Sequence, residues 1–229
     1  MGNQAISQAL NSIYRHLMDC YGPQHWWPAE EPFEMIVGAI LTQAAAWSNV
    51  EKAIASLKQA RALAPEALRS LPLSEVAALI RSCGYYNAKA LKLKSFAHWL
   101  GEHYDDNLNR LLANDVDHLR RHLLSIHGIG EETADSIILY AANKPSFVID
   151  AYTRRIIGRL GLAPESNSYT AYQALFMDNL PPDTGLFQEY HALLVCLAKK
   201  ICRSRPSCQQ CCLNKICISP LNRFRQAFD

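Results

Sequence analysis

Apolar positions recur at three- and four-residue intervals along most of this chain, the period of helices that each bury one face. The N-terminal "MGNQAISQALNSIYRHL" is amphipathic in this sense. "PFEMIVGAILTQ" opens on Pro32, a residue tolerated at a first helical turn. "SNVEKAIASLKQA" offers Ser48 and Glu51 as a capping box, and "SEVAALIRSCG" offers Ser74 as cap and Gly84 as stop. "NAKALKLKSFAHWLGEHY", "DVDHLRRHLLSI" and "EETADSIILYAAN" follow, each bounded by turn residues. "AYTRRIIGRLGL", "YTAYQALFMDNL" and "TGLFQEYHALLVCLAKKIC" come after Asp150. Only "SFVID", Ser146 to Asp150, reads as a short extended run. The pattern predicts about ten helices and an all-α fold. No repeat and no linker marks a domain boundary.

Length and composition add bounds. The 229 residues are 49% apolar, enough for a sizeable core. No apolar run approaches the ~18 residues of a membrane span, and the N-terminus lacks the apolar region of a signal peptide. These point to a cytoplasmic chain with no membrane partner. Net charge is only +2, but basic residues bunch: Lys89, Lys92 and Lys94; Arg120 and Arg121; Arg154, Arg155 and Arg159; Lys199, Lys200, Arg203 and Arg205. Any one bunch reads as a solvated helix face. Together they permit a nucleic-acid footprint.

Of eight cysteines, five lie between Cys202 and Cys217, which in a chain without a secretion signal points to a metal site rather than disulfides. Cys202, Cys208, Cys211 and Cys217 are spaced C-x5-C-x2-C-x5-C. Four thiolates so close in sequence suit an iron–sulfur cube. Zinc, usually held by two separated C-x2-C knuckles, is the alternative, since one knuckle is present. Cys212 is the extra candidate ligand. Cys20, Cys83 and Cys196 read as buried small apolar residues.

"LLSI-HGIG-EETADSIIL" reads as helix, tight hairpin, helix. Gly128 and Gly130, on either side of Ile129, are suited to positive φ and to close approach of the backbone to another group. The helix from about Glu131 then offers free N–H groups to a phosphate. An ordinary helix–helix turn is the competing reading. Twenty residues beyond Gly130 stands Asp150, in "FVIDAYTRR". There it suits a helix N-cap and is equally placed for chemistry.

The hairpin with its following aspartate resembles the helix-hairpin-helix DNA glycosylase superfamily, in which that aspartate is catalytic. The cysteine loop resembles the 4Fe-4S loop of endonuclease III and adenine-mismatch glycosylases, with a first gap one residue shorter. "WWP…FE…GAILTQ" followed by an aromatic is similar to the 3-methyladenine DNA glycosylase branch, whose best-known members lack the cysteines. The resemblance runs from about Trp26 to Cys217.

It implies a two-lobed fold: residues 32–143 as a six-helix barrel with the hairpin, residues 1–31 and 144–229 as a helical 4Fe-4S lobe, and an active site in the cleft between them. It implies a monomer acting on double-stranded DNA that contains damaged bases, hence nucleoid-associated. Arg154 falls in the same DNA-binding segment. Gln43 and the loop residues Tyr86 and Asn87 match side chains that enter the duplex. Trp26, Trp27, Pro28 and Trp47 match the base pocket, with Trp47 and one of the other tryptophans on either side of a cationic ring. Endonuclease III carries a lysine at the second position after its G-[IV]-G. Here that position is Glu132, and a carboxylate forms no Schiff base. The resemblance therefore implies hydrolysis of the glycosidic bond of an alkylated purine without strand cleavage, with Glu132 either positioning water or closing the helix start. Removal of oxidised or mismatched pyrimidines is the rival within the family. A non-catalytic iron–sulfur DNA-binding protein is the rival outside it.

Overall fold

The computed structural model describes residues 3–219. Among these residues there are twelve α-helices and no strand. In order they are α1 (Asn3–Tyr21), α2 (Pro32–Leu41), α3 (Trp47–Gln59), α4 (Pro65–Ser70), α5 (Leu73–Leu79), α6 (Tyr86–Tyr104), α7 (Leu108–Ala113), α8 (Val116–Ser125), α9 (Glu131–Ser136), α10 (Ala151–Arg159), α11 (Tyr169–Met177) and α12 (Thr184–Lys200). The chain divides into two compact units, one of Met1–Trp26 with Pro145–Asp229 and one of Trp27–Lys144. The first boundary thus falls between the two adjacent tryptophans, five residues before the position expected from sequence. Trp27 joins the second unit because its ring packs on Trp47 and Tyr140.

In the unit of Trp27–Lys144, α2 is buried along its whole length from Phe33 to Leu41. That explains why its sequence, apart from Glu34, which pairs with Lys58 at 3.0 Å, is apolar all round rather than striped. Ile54 and Leu57 of α3, Leu93 and Leu100 of α6, and Ile137 and Ile138 just beyond α9 share its core. Buried Lys89 donates from Nζ to the carbonyls of Leu41 at 3.0 Å and Cys83 at 2.8 Å. It thereby ties together the C-terminal end of α2 and the 3-10 turn Arg81–Cys83, where the loops carrying Gln43 and Tyr85 begin. Two expected caps do not form. α3 starts at Trp47, so Ser48 lies inside it, and Glu51 instead accepts the Trp47 indole N–H at 2.8 Å. α5 starts at Leu73 after Pro72, so Ser74 too lies within the helix. α3 is entered from Ala46 and α5 from Pro72, neither with a side-chain cap.

In the other unit, Leu10, Ile13 and Leu17 of α1 are fully buried against α12. Each contributes roughly 1.5–3 kcal/mol by leaving water. Residues 146–149, expected to be extended, are buried and belong to no helix or strand. Their polar groups are met by side chains instead: Gln173 Nε2 donates to the Phe147 carbonyl at 2.9 Å, and the Ile149 amide donates to the Tyr169 hydroxyl at 3.3 Å. Phe147 stacks on Phe176 with centroids 3.8 Å apart. This run is a buried strut that delivers Asp150 to the start of α10.

Candidate active site and cysteine loop

Asp150 is the N-cap of α10. Its Oδ1 accepts the Thr153 amide at 2.6 Å, as expected for a cap. Its side chain is only 14% exposed, and Oδ2 lies 3.7 Å from His191 Nε2 on α12. Burial pushes the carboxyl pKa up, but the facing imidazole and the Thr153 group outweigh it, so the group stands below its ordinary 3.8. A largely buried carboxylate is thus kept ionised. His191 gave no signal in the sequence, because a histidine within a buried helical stripe looks like any core residue. Its ring lies flat on Trp26, centroids 5.6 Å apart and planes within 4°.

The hairpin joins α8 to α9. Gly128 has φ +84°, a conformation that favours glycine, and a Cβ there would run into the Lys92 side chain. Gly130 corrects the sequence expectation: its backbone is extended at φ −95°, and a Cβ would meet nothing within the protein. Arg120 of α8 braces the turn, reaching buried Asp135 at 3.0 Å and Glu131 at 3.3 Å. Burial pulls the guanidinium pKa down, and these two carboxylates more than restore it. Glu131 is therefore part of the brace, whereas Glu132 is exposed at the second residue of α9. Gln43 joins the same turn, donating from Nε2 to the Gly128 carbonyl at 3.2 Å and to Thr133 Oγ1 at 2.9 Å. It also accepts from Lys92. Ile129, between the glycines, is buried.

Trp27 and Trp47 meet at right angles, centroids 5.2 Å apart, so their rings leave no parallel slot between them. Pro28 is exposed beside them. The loop ahead of α6 places Tyr85 at φ +47° and 78% exposed, with Asn87 exposed and Tyr86 half-buried under Arg81. Tyr85, not singled out from the sequence, is the most solvent-facing aromatic of that loop. Arg154 is engaged within its own unit, donating to the Asn167 carbonyl at 2.7 Å and lying over the Tyr172 ring.

Cys202, Cys208, Cys211 and Cys217 line a single cavity with Arg159, Ile201 and Pro206, and Cys212 is not in its wall. Arg159 donates to Cys202 Sγ at 3.1 Å and to the Arg203 and Ser204 carbonyls, so one side chain of α10 organises the loop. Among the described residues no three metal-ligating side chains sit close enough to hold one ion. The four cysteines line a hollow instead.

Comparison with known proteins agrees with this picture. The family profile described as HhH-GPD superfamily base excision DNA repair protein matches residues 37–182. A protein of Methanocaldococcus jannaschii named as a DNA repair glycosylase is 44% identical over 214 residues, covering 93% of this chain and 97% of that one. Endonuclease III of Sulfolobus acidocaldarius is 29% identical over 187 residues, 81% of each chain. Among solved structures, the 3-methyladenine DNA glycosylase of H. pylori, bound to 1,N6-ethenoadenine, superposes with a TM-score of 0.72. It has 26% identity and covers 87% of this chain and 98% of that one. A non-covalent endonuclease III–DNA complex superposes with a TM-score of 0.82 at 21% identity, over 96% and 98%, and so shares the fold.

Proposed function

The chain belongs to the HhH-GPD superfamily of base excision DNA repair proteins and is a DNA N-glycosylase, and from that premise we propose that it releases alkylated purines from duplex DNA by hydrolysis, without cutting the strand. The observation that carries the reading is the pair of Glu132 and Asp150. The position where endonuclease III has its lysine holds a carboxylate, and a second carboxylate is kept ionised in a largely buried site. With no amine there to attack C1′, water takes the sugar. The 26% identical H. pylori 3-methyladenine glycosylase supports the substrate class.

Chemistry at the flipped-out nucleotide follows from the charges. A 3-methyladenine or 7-methylguanine nucleotide carries a formal positive charge on its base, so its glycosidic bond needs little acid assistance. As the bond breaks, C1′ becomes oxocarbenium-like, and the ionised Asp150 stabilises that charge or orients the incoming water. Trp47 supplies a π-face for the cationic ring, worth roughly 0.5–2 kcal/mol. Gly130 and the backbone amides at the start of α9 take a DNA phosphate, a contact that positions without reading sequence. Gln43, Tyr86 and Asn87 contact the duplex, with Arg154 on the backbone. Cys202, Cys208, Cys211 and Cys217 would hold a 4Fe-4S cluster, which on this reading ties the loop together, and no step of base release passes through it. Four cysteines in one loop lining one hollow are the observation that supports a cluster there.

Borohydride trapping tests the hydrolytic step. No covalent protein–DNA adduct should form under conditions where base release is complete. An adduct accumulating in step with base release means that an amine of this protein attacks the sugar.

A further inference from the structure

Base release through Asp150 gives no role to His191, a histidine set in the buried face of α12. A polar ring in a buried helix carries a desolvation cost that an apolar side chain of similar size would avoid. Its neighbours Tyr190, Ala192, Leu193 and Leu194 are all buried, so the position is a core position by its surroundings. The His191 side chain is 6% exposed, and its Nε2 faces one carboxylate oxygen of Asp150 at 3.7 Å. That is an electrostatic separation rather than a direct hydrogen bond. The other oxygen, Oδ1, is already fixed by the Thr153 amide at 2.6 Å. The two oxygens thus face two different groups: the amide binds one, and the imidazole stands opposite the other. The imidazole is itself fixed. Trp26 covers its face in a near-parallel stack, and Lys199, two turns further along α12, places its ammonium 5.8 Å from the centre of the same indole.

We propose that His191 is a positioning residue for Asp150, holding the catalytic carboxylate in its working orientation, with Trp26 locking the imidazole in place. The inference rests on Asp150 being the catalytic carboxylate, but not on the identity of the lesion. It assigns Trp26 a supporting task distinct from base stacking.

The experiment is single-turnover base release by the full-length protein on whichever defined-lesion duplex wild type processes fastest. It is paired with the dissociation constant for an abasic-site duplex and with thermal melting. His191→Phe keeps the stack on Trp26 and removes the polar nitrogen. Its release rate should fall about tenfold with DNA affinity unchanged. His191→Gln, which restores a polar N–H, should recover most of the rate. His191→Leu is measured alongside, so that a folding failure of one apolar variant does not leave the question open. In the Asp150→Asn background the His191 substitutions should cost little further, because their effect acts through the missing carboxylate. Wild-type rates in both apolar variants would overturn the proposal. So would equal losses in Gln and Phe, or a full additional loss on top of Asp150→Asn. If instead Asp150→Asn alone keeps the wild-type rate, it is the catalytic reading of Asp150 that fails.

Discussion

Asparagine caps a helix about as well as aspartate, so Asp150→Asn should leave the start of α10 intact while removing the charge. Single-turnover base release should fall by roughly 10²-fold or more, the usual cost of losing an electrostatic stabiliser, with DNA binding retained. Unchanged release would remove Asp150 from the chemistry. The same substitution carries a stability signature. Because the folded pKa is depressed below 3.8, the ionised group stabilises the fold above that value, and the contribution is lost as pH falls through the lower folded pKa. Thermal melts of the Asn variant should therefore lie below wild type at neutral pH and converge with it in acid; a gap that widens in acid contradicts the assignment. Trp47 belongs to the same scale. Its replacement by alanine should lower activity on methylated purines by about 10- to 100-fold, and phenylalanine should keep most of it. Equal losses in the two variants would mean that the ring contributes shape alone or only its hydrogen bond to Glu51.

At the scale of elements, the hairpin separates two glycines that look alike in sequence. Gly128 is required by its φ of +84° and by Lys92, so a bulky residue there should lower both the melting temperature and DNA affinity. Gly130 has neither constraint. A bulky residue there should leave the melting temperature near wild type and weaken all duplexes alike, with a changed salt dependence. A loss confined to one lesion would contradict the phosphate role. The hairpin, the cap at Asp150 and most helices were legible because each depends on local chemistry: period, cap and turn residue. The brace from Arg120 to Glu131 and Asp135 spans two helices, and the approach of His191 to Asp150 joins residues 41 apart in the chain. Such pairings follow from packing, which single-sequence periodicity does not encode. Ser48 and Ser74 failed as caps because neighbouring proline and tryptophan positions set the helix starts one turn or less away.

For the molecule as a whole, a net charge of +2 leaves affinity for DNA to local features rather than to a diffuse field. The cysteine loop lies beyond the segment 37–182 that defines the family, so its contribution is separable from the glycosylase assignment. Purified protein should contain iron and acid-labile sulfide and absorb in the visible range. Serine at Cys211 should cost the cluster or the fold, whereas serine at exposed Cys20 should not. Zinc without iron would contradict the cluster reading. The central claim is hydrolytic release of a methylated purine, and one assay meets it directly. Duplexes each carrying a single defined lesion are incubated with the protein, and strand breaks are scored with and without alkali. The account predicts breaks in the 3-methyladenine or 7-methylguanine duplex that appear only after alkali. Breaks without alkali, or activity confined to oxidised or mismatched pyrimidines, would contradict it.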